Sequence, residues 1–252
     1  MTDDLFKTVG VVGYGRFGKL LVQELRREFD VAVYDAYADI ELIDGQTSLA
    51  DAASRDAVFF AVPIAAFETA VKNAVPHFKD GALVMDVCSV KLHPERVLAR
   101  LLPKGVYALP LHPMFGPDSA KDGWRDLPLV LCPNADESDL YRQRVAFWRH
   151  YFSKGKGCRV VELTPEAHDR ITARSLCLTQ LLGRALGNMN IAASEIDAQS
   201  FRHLLAMKTI SYNDSMELLL DLHRFNPFAA DVREQLRHEL NRLETVIQNR
   251  EE

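Results

Sequence analysis

Two residues of this chain have the chemistry and the placement to move a proton. His112 heads the stretch HPMFGPDSAKDGW, directly after the apolar run VYALPL, and Ser89 follows the apolar run ALVMDVC. An imidazole titrates near neutral pH, so a histidine at the end of a buried strand can act as a general base. A hydroxyl beside it can orient the ring. A histidine before proline can also do no more than shape a turn, and the surrounding segments must decide.

The first of these is GYGRFG, with glycines at 13, 15 and 18, placed after the apolar VGVV and before the helical LLVQEL. In that context Gly13 permits a tight turn, Gly15 lets a pyrophosphate approach the backbone, and Gly18 allows close packing of helix on strand. The helix start, with Arg16 and Phe17, offers free N–H groups and the positive end of a dipole. Arg16 either pairs with a phosphate or points to water. Asp35 ends the next apolar run, VAVY, seventeen residues beyond Gly18. A carboxylate there accepts from ribose hydroxyls and repels a 2′-phosphate, so NAD is expected rather than NADP. Val62 and Pro63 close a further run, AVFFAVP, and are expected against the same cofactor.

These segments need a scaffold, and the pattern supplies one. Apolar β-rich runs alternate with amphipathic helical stretches through the first 160 residues or so. Runs this apolar are buried on both faces, which means a mostly parallel sheet covered by helices, an α/β fold of Rossmann type. From TPEAHDR onward strand-like runs give way to long helical patterns, among them ITARSLCLTQLLGRALGNM and ADVREQLRHELNRLETVIQNR. Thr164 before Pro165 is good N-cap chemistry. We therefore expect a dinucleotide-binding domain over 1–160 and an all-α domain over 161–252. So few helices make a thin core, which favours a homodimer through the helical domain.

Composition excludes several other classes. The 252 residues carry a net charge of −5 with both signs interspersed, which points away from nucleic acid and anionic membranes. No apolar run approaches the ~20 residues that span a bilayer. The start, MTDDLFKTVG, has no basic-then-apolar leader, so the cytoplasm is the expected compartment. Cys88, Cys132, Cys158 and Cys177 are scattered without a CxxC pair, which fits buried reduced thiols and no metal site.

With these segments in view, the chain resembles the prephenate/arogenate dehydrogenase family of tyrosine biosynthesis, and its plant-type arogenate members most closely. GYGRFG, DVCSVKLHP, HPMFGPDSAKDGWRDLPLV, GCRVVELTPEAHDR and NDSMELLLDLHRFN carry the resemblance, in order along nearly the whole chain. It implies oxidative decarboxylation of a cyclohexadienol to a phenol, with His112 as the base and Ser89 as its neighbour. Lys91, Met114 and Gly116, from the same motifs, are expected around the substrate. Departures fall at Asp118, where many relatives have Glu, and at Gln180 of Thr179-Gln180, where relatives have His. No arginine matches the carboxylate clamp of bacterial members, although Lys208 lies nearby. Plant members carry Ser-Arg and use NADP where this chain has Asp35.

The resemblance also places Asp214 of NDSMEL on an acidic residue of plant-type members that reads the substrate ammonium; the other reading is a cap for the helix that follows. The expected reaction is thus NAD-dependent conversion of arogenate to tyrosine. Prephenate or dual-substrate turnover is the nearest alternative, and a silent NAD-binding regulatory protein a more distant one.

Overall fold

The computed structural model describes residues 6–37, 47–136 and 138–250. MTDDL, the start of the segment read for a leader, lies outside them. The chain forms two compact units, the first ending at His168 and the second beginning at Asp169. The division falls inside a helix, later than the boundary expected near residue 160.

In the first unit, β1 (Thr8–Val12), β2 (Asp30–Tyr34), β3 (Ala57–Phe60), β4 (Leu83–Asp86) and β5 (Tyr107–Ala108) form a parallel sheet in the order β2-β1-β3-β4-β5. Val9, Val11, Phe59, Leu83 and Met85 have no exposure, as their apolar runs required. Between strands run α1 (Arg16–Leu25), α2 (Leu49–Ala53), α3 (Phe67–Ala74) and α4 (Leu92–Leu101). Helix α1 buries Gly18, Leu21, Val22 and Leu25, one stripe at helical spacing. The order reverses between β1 and β3, the point of a doubly wound sheet beyond which ligands bind.

The run VYALPLHP does not continue that sheet as one strand. Pro110 has no N–H to donate to a ladder. Tyr107–Ala108 ends the parallel sheet, and Leu111–Pro113 becomes β6 of a second sheet, ordered β6-β7-β8. There β6 pairs antiparallel with β7 (Pro128–Leu131), His112 opposite Val130, and β7 pairs parallel with β8 (Arg159–Glu162). Helix α5 (Asp139–His150), capped by Ser138, drives Trp148 edge-on against Phe59 at 5.0 Å. Losing that fully buried indole would cost about 3–5 kcal/mol.

Helix α6 (Pro165–Thr172) starts where Thr164 and Pro165 predict: the Ala167 N–H donates to Thr164 Oγ1 at 3.1 Å. The second unit holds α7 (Leu178–Asn188), α8 (Gln199–Asn213), α9 (Met216–Phe225) and α10 (Ala229–Gln248). Its buried apolar side chains are few, whereas Leu204, Ile210, Leu220, Leu240, Leu243 and Ile247 stand exposed. Among the described residues no helix is long and apolar enough to cross a membrane.

Candidate active site

At the sheet reversal, Gly13 follows β1 with φ of 105° and donates its N–H to Tyr34 O at 2.8 Å. That left-handed conformation suits glycine, and a Cβ there would run into the Ala61 carbonyl. A Cβ on Gly18 would strike the Gly13 carbonyl, so the helix can lie this close only without one. Gly15 has open space where its Cβ would stand. A cavity of about 420 Å³ opens here, lined by Gly13, Gly15, Asp35, Val62 and Pro63 among others. Asp35 is fixed at its rim, accepting from the Tyr14 N–H at 2.6 Å and the Tyr37 N–H at 2.8 Å. This is the cradle a dinucleotide needs: exposed backbone for the pyrophosphate and a carboxylate at the end of β2 for the ribose.

The loop after β6 approaches the same helix start. Phe17 and Phe115 lie with ring centroids 6.3 Å apart, and Arg16 pairs with Asp118 at 2.8 Å. Arg16 therefore neither points only to water nor stands ready for a phosphate alone; it holds a half-exposed carboxylate. Screening limits such a pair to about 0–1 kcal/mol. Met114 is half-buried and donates its N–H to Pro128 O at 2.9 Å, while Gly116 has open space at its Cβ position. Phe115 packs inward against buried Trp124 at 5.2 Å, so the DGW part of the motif builds core.

His112 is buried, 4% exposed, and its Nδ1 lies 2.8 Å from Nε2 of His168, which is 1% exposed. Among the described residues no hydrogen bond joins Ser89 to His112, so the expected hydroxyl partner is replaced by a second imidazole. Lys91 corrects a further expectation. It is fully enclosed, ion-paired with buried Asp86, and donates to the Leu111 carbonyl at 2.6 Å. A lysine so engaged grips the backbone beside His112 and offers no open face to a substrate. Burial pushes the Asp86 carboxyl up, and the Lys91 cation pulls it back. Burial first, then His168 and the Lys91 cation, hold the His112 imidazole well below the usual 6.5. The result is a neutral imidazole shielded from water.

Sequence reasoning missed His168 and Asp86. His168 stands within TPEAHDR, yet nothing local in that string points to a residue 56 positions earlier.

In the second unit, Asp214 Oδ2 accepts from buried Gln180 Nε2 at 2.6 Å, and the Asp214 carbonyl accepts from Arg184 at 2.7 Å. The cap of α9 is Ser215, whose hydroxyl accepts from the Leu218 N–H at 3.1 Å. The capping role considered for Asp214 thus belongs to its neighbour. Gln180 Oε1 is buried without a hydrogen-bond partner.

The four cysteines are all buried, and burial pushes the thiols of Cys158 and Cys177 up to about 11 and about 12.

Residues 27–162 match the family described as the nucleotide-binding domain of prephenate dehydrogenase, and residues 185–252 match a TYRAAT1-like C-terminal domain. Among relatives, arogenate dehydrogenase 2 of Arabidopsis thaliana, a chloroplastic protein, is 29% identical over 90% of this chain and 66% of its own length. Arogenate dehydrogenase 1 of the same plant is 27% identical over 95% of this chain and 39% of its own length. The chain thus spans less than two thirds of the length of these relatives. The crystal structure of prephenate dehydrogenase from A. aeolicus, with hydroxyphenyl propionate and NAD+, matches with a TM-score of 0.73 at 22% identity. The match covers 96% of this chain and 91% of that one, and is a likeness of fold. With a family match over more than half of its length, this chain belongs to the family of the prephenate dehydrogenase nucleotide-binding domain.

Proposed function

We propose that the protein is an NAD-dependent arogenate dehydrogenase that converts arogenate to tyrosine and carbon dioxide. The observation that carries this reading is the buried, neutral His112 on the strand whose following loop reaches the dinucleotide cradle, in a chain of this family. The backbone at Gly13 and Gly15 would hold the pyrophosphate, Gly18 letting α1 lie close, and Asp35 would hold the ribose, which favours NAD over NADP. Bound NAD supplies the hydride acceptor for the carbon bearing the ring hydroxyl. Nε2 of His112 takes the hydroxyl proton. Loss of the ring carboxylate as carbon dioxide leaves an aromatic ring, and the proton returns to the phenolic oxygen. Aromatisation drives the loss, so the residues need only orient the ring, exclude water and hold that proton.

We assign recognition of the substrate ammonium to Asp214. A carboxylate forms a charge-assisted hydrogen bond with arogenate and leaves the keto oxygen of prephenate facing an anion. Asp214→Asn should shift the ratio of kcat/KM for arogenate over prephenate down by roughly ten- to a hundredfold, the worth of one such bond of ~1.5–3 kcal/mol. Because Ser215 caps α9, stability should hardly change. One observation favours a second reading, prephenate or dual-substrate turnover: Asp214 Oδ2 already accepts from Gln180. An unchanged ratio selects that reading. The exposed apolar residues of the helical unit support a homodimer, and sedimentation at increasing concentration tests it.

A further inference from the structure

The imidazole of His112 has one hydrogen-bond partner among the described residues, and it is not the serine of the neighbouring strand end. It is the ring of His168, with Nδ1 and Nε2 2.8 Å apart, ring centroids 5.1 Å apart and the planes at 65°. A neutral imidazole donates through one nitrogen and accepts through the other. Two neutral rings at this separation share a single N–H, and its direction decides what His112 can do. If His168 donates, His112 carries its proton on Nε2 and has no lone pair left for a substrate. If His112 donates, its Nε2 lone pair is free.

Both rings stand on fixed backbone. His168 sits in the first turn of α6, where Thr164 Oγ1 caps the Ala167 N–H and the Thr164 carbonyl accepts the His168 N–H at 3.0 Å. His112 sits on β6 opposite Val130, and Lys91 anchors the carbonyl of the residue before it. A His168 ring that carries its own proton on Nδ1 presents the Nε2 lone pair to His112. The His168 ring and the Lys91 cation are the groups whose charge acts on His112.

We infer that His168 is a positioning residue that accepts the Nδ1–H of His112 through its own Nε2 and so fixes His112 in the tautomer whose Nε2 is free to take a proton. This rests on the reading of His112 as the base. Once His112 has taken the substrate proton, both its nitrogens donate, and the bond to His168 becomes charge-assisted.

The test uses the full chain labelled with 15N-histidine, with signals assigned by loss in His112→Asn and His168→Gln. The 15N shifts should place the His112 proton on Nδ1 in the unmodified protein and in His168→Gln, whose side-chain carbonyl can accept. His168→Phe should show both tautomers. In the same series, His168→Phe should lower kcat for arogenate by roughly ten- to a hundredfold, the worth of one lost charge-assisted hydrogen bond, with KM unchanged. His168→Gln should restore most of it. A proton on Nε2 of His112 in the unmodified chain overturns the inference, whether or not His168→Phe folds. So does a folded His168→Phe with wild-type kcat. Full turnover by His112→Asn would instead remove the base reading and leave the tautomer measurement standing.

Discussion

The two ends of the candidate site are built on opposite terms. Around the glycine loop the protein leaves room: about 420 Å³ of cavity, open space at Gly15, and a carboxylate held by two backbone N–H groups. Around His112 it leaves none. Asp86, Lys91, His112 and His168 are at most 4% exposed and pair at short range, Asp86 with Lys91 and His112 with His168. The open end depends on backbone shape, which a few glycines specify. The closed end depends on ionisable groups brought out of water, where each partner matters because nothing else can replace it.

The sharpest way to break the contrast is to unpair the closed end. Lys91→Met leaves the buried Asp86 carboxyl without its cation and frees the Leu111 carbonyl. It should destabilise the protein by about 3–5 kcal/mol in a denaturant titration. The double variant Asp86→Leu with Lys91→Met should recover much of that loss, because no buried charge is then left alone. A Lys91→Met protein as stable as the original would mean that the pair holds nothing in place.

The same contrast explains what the sequence could tell. GYGRFG is legible because its turn, close approach and helix start are set within six residues, and Thr164-Pro165 because a cap and its helix are neighbours. The partners of His112 are not legible in this way. Asp86 and Lys91 read as one more strand end, and His168 lies 56 residues downstream in another element. Ser89 reads as the natural partner because strand ends cluster, but β6 leaves the parallel sheet at Pro110 and enters the second one. At Asp214 and Ser215 two good caps stand side by side, and only the backbone shows that α9 uses the second.

A smaller effect sharpens the open end. Asp35→Ser removes the charge that would repel a 2′-phosphate and should raise the kcat/KM ratio of NADP over NAD by roughly ten- to a hundredfold. Stability should fall by about 1–3 kcal/mol, since the Tyr14 and Tyr37 N–H groups lose their carboxylate acceptor. An original protein that already prefers NADP would detach Asp35 from the ribose.

The central claim is that the closed end holds a neutral histidine as the base. Its depressed pKa has a definite sign. As pH falls below 6.5, the unfolded chain takes up the proton before the folded one, so stability declines on the acid side while His112 stays neutral in the fold. The direct measurement is kcat/KM for arogenate with NAD across pH, in the unmodified protein and in His112→Asn. The account predicts an acid limb well below 6.5 in the unmodified protein. It also predicts a fall of roughly 10²–10⁴ in kcat for His112→Asn with NAD affinity retained. Turnover by His112→Asn within a few-fold of the original, or activity already half lost at 6.5, would contradict it.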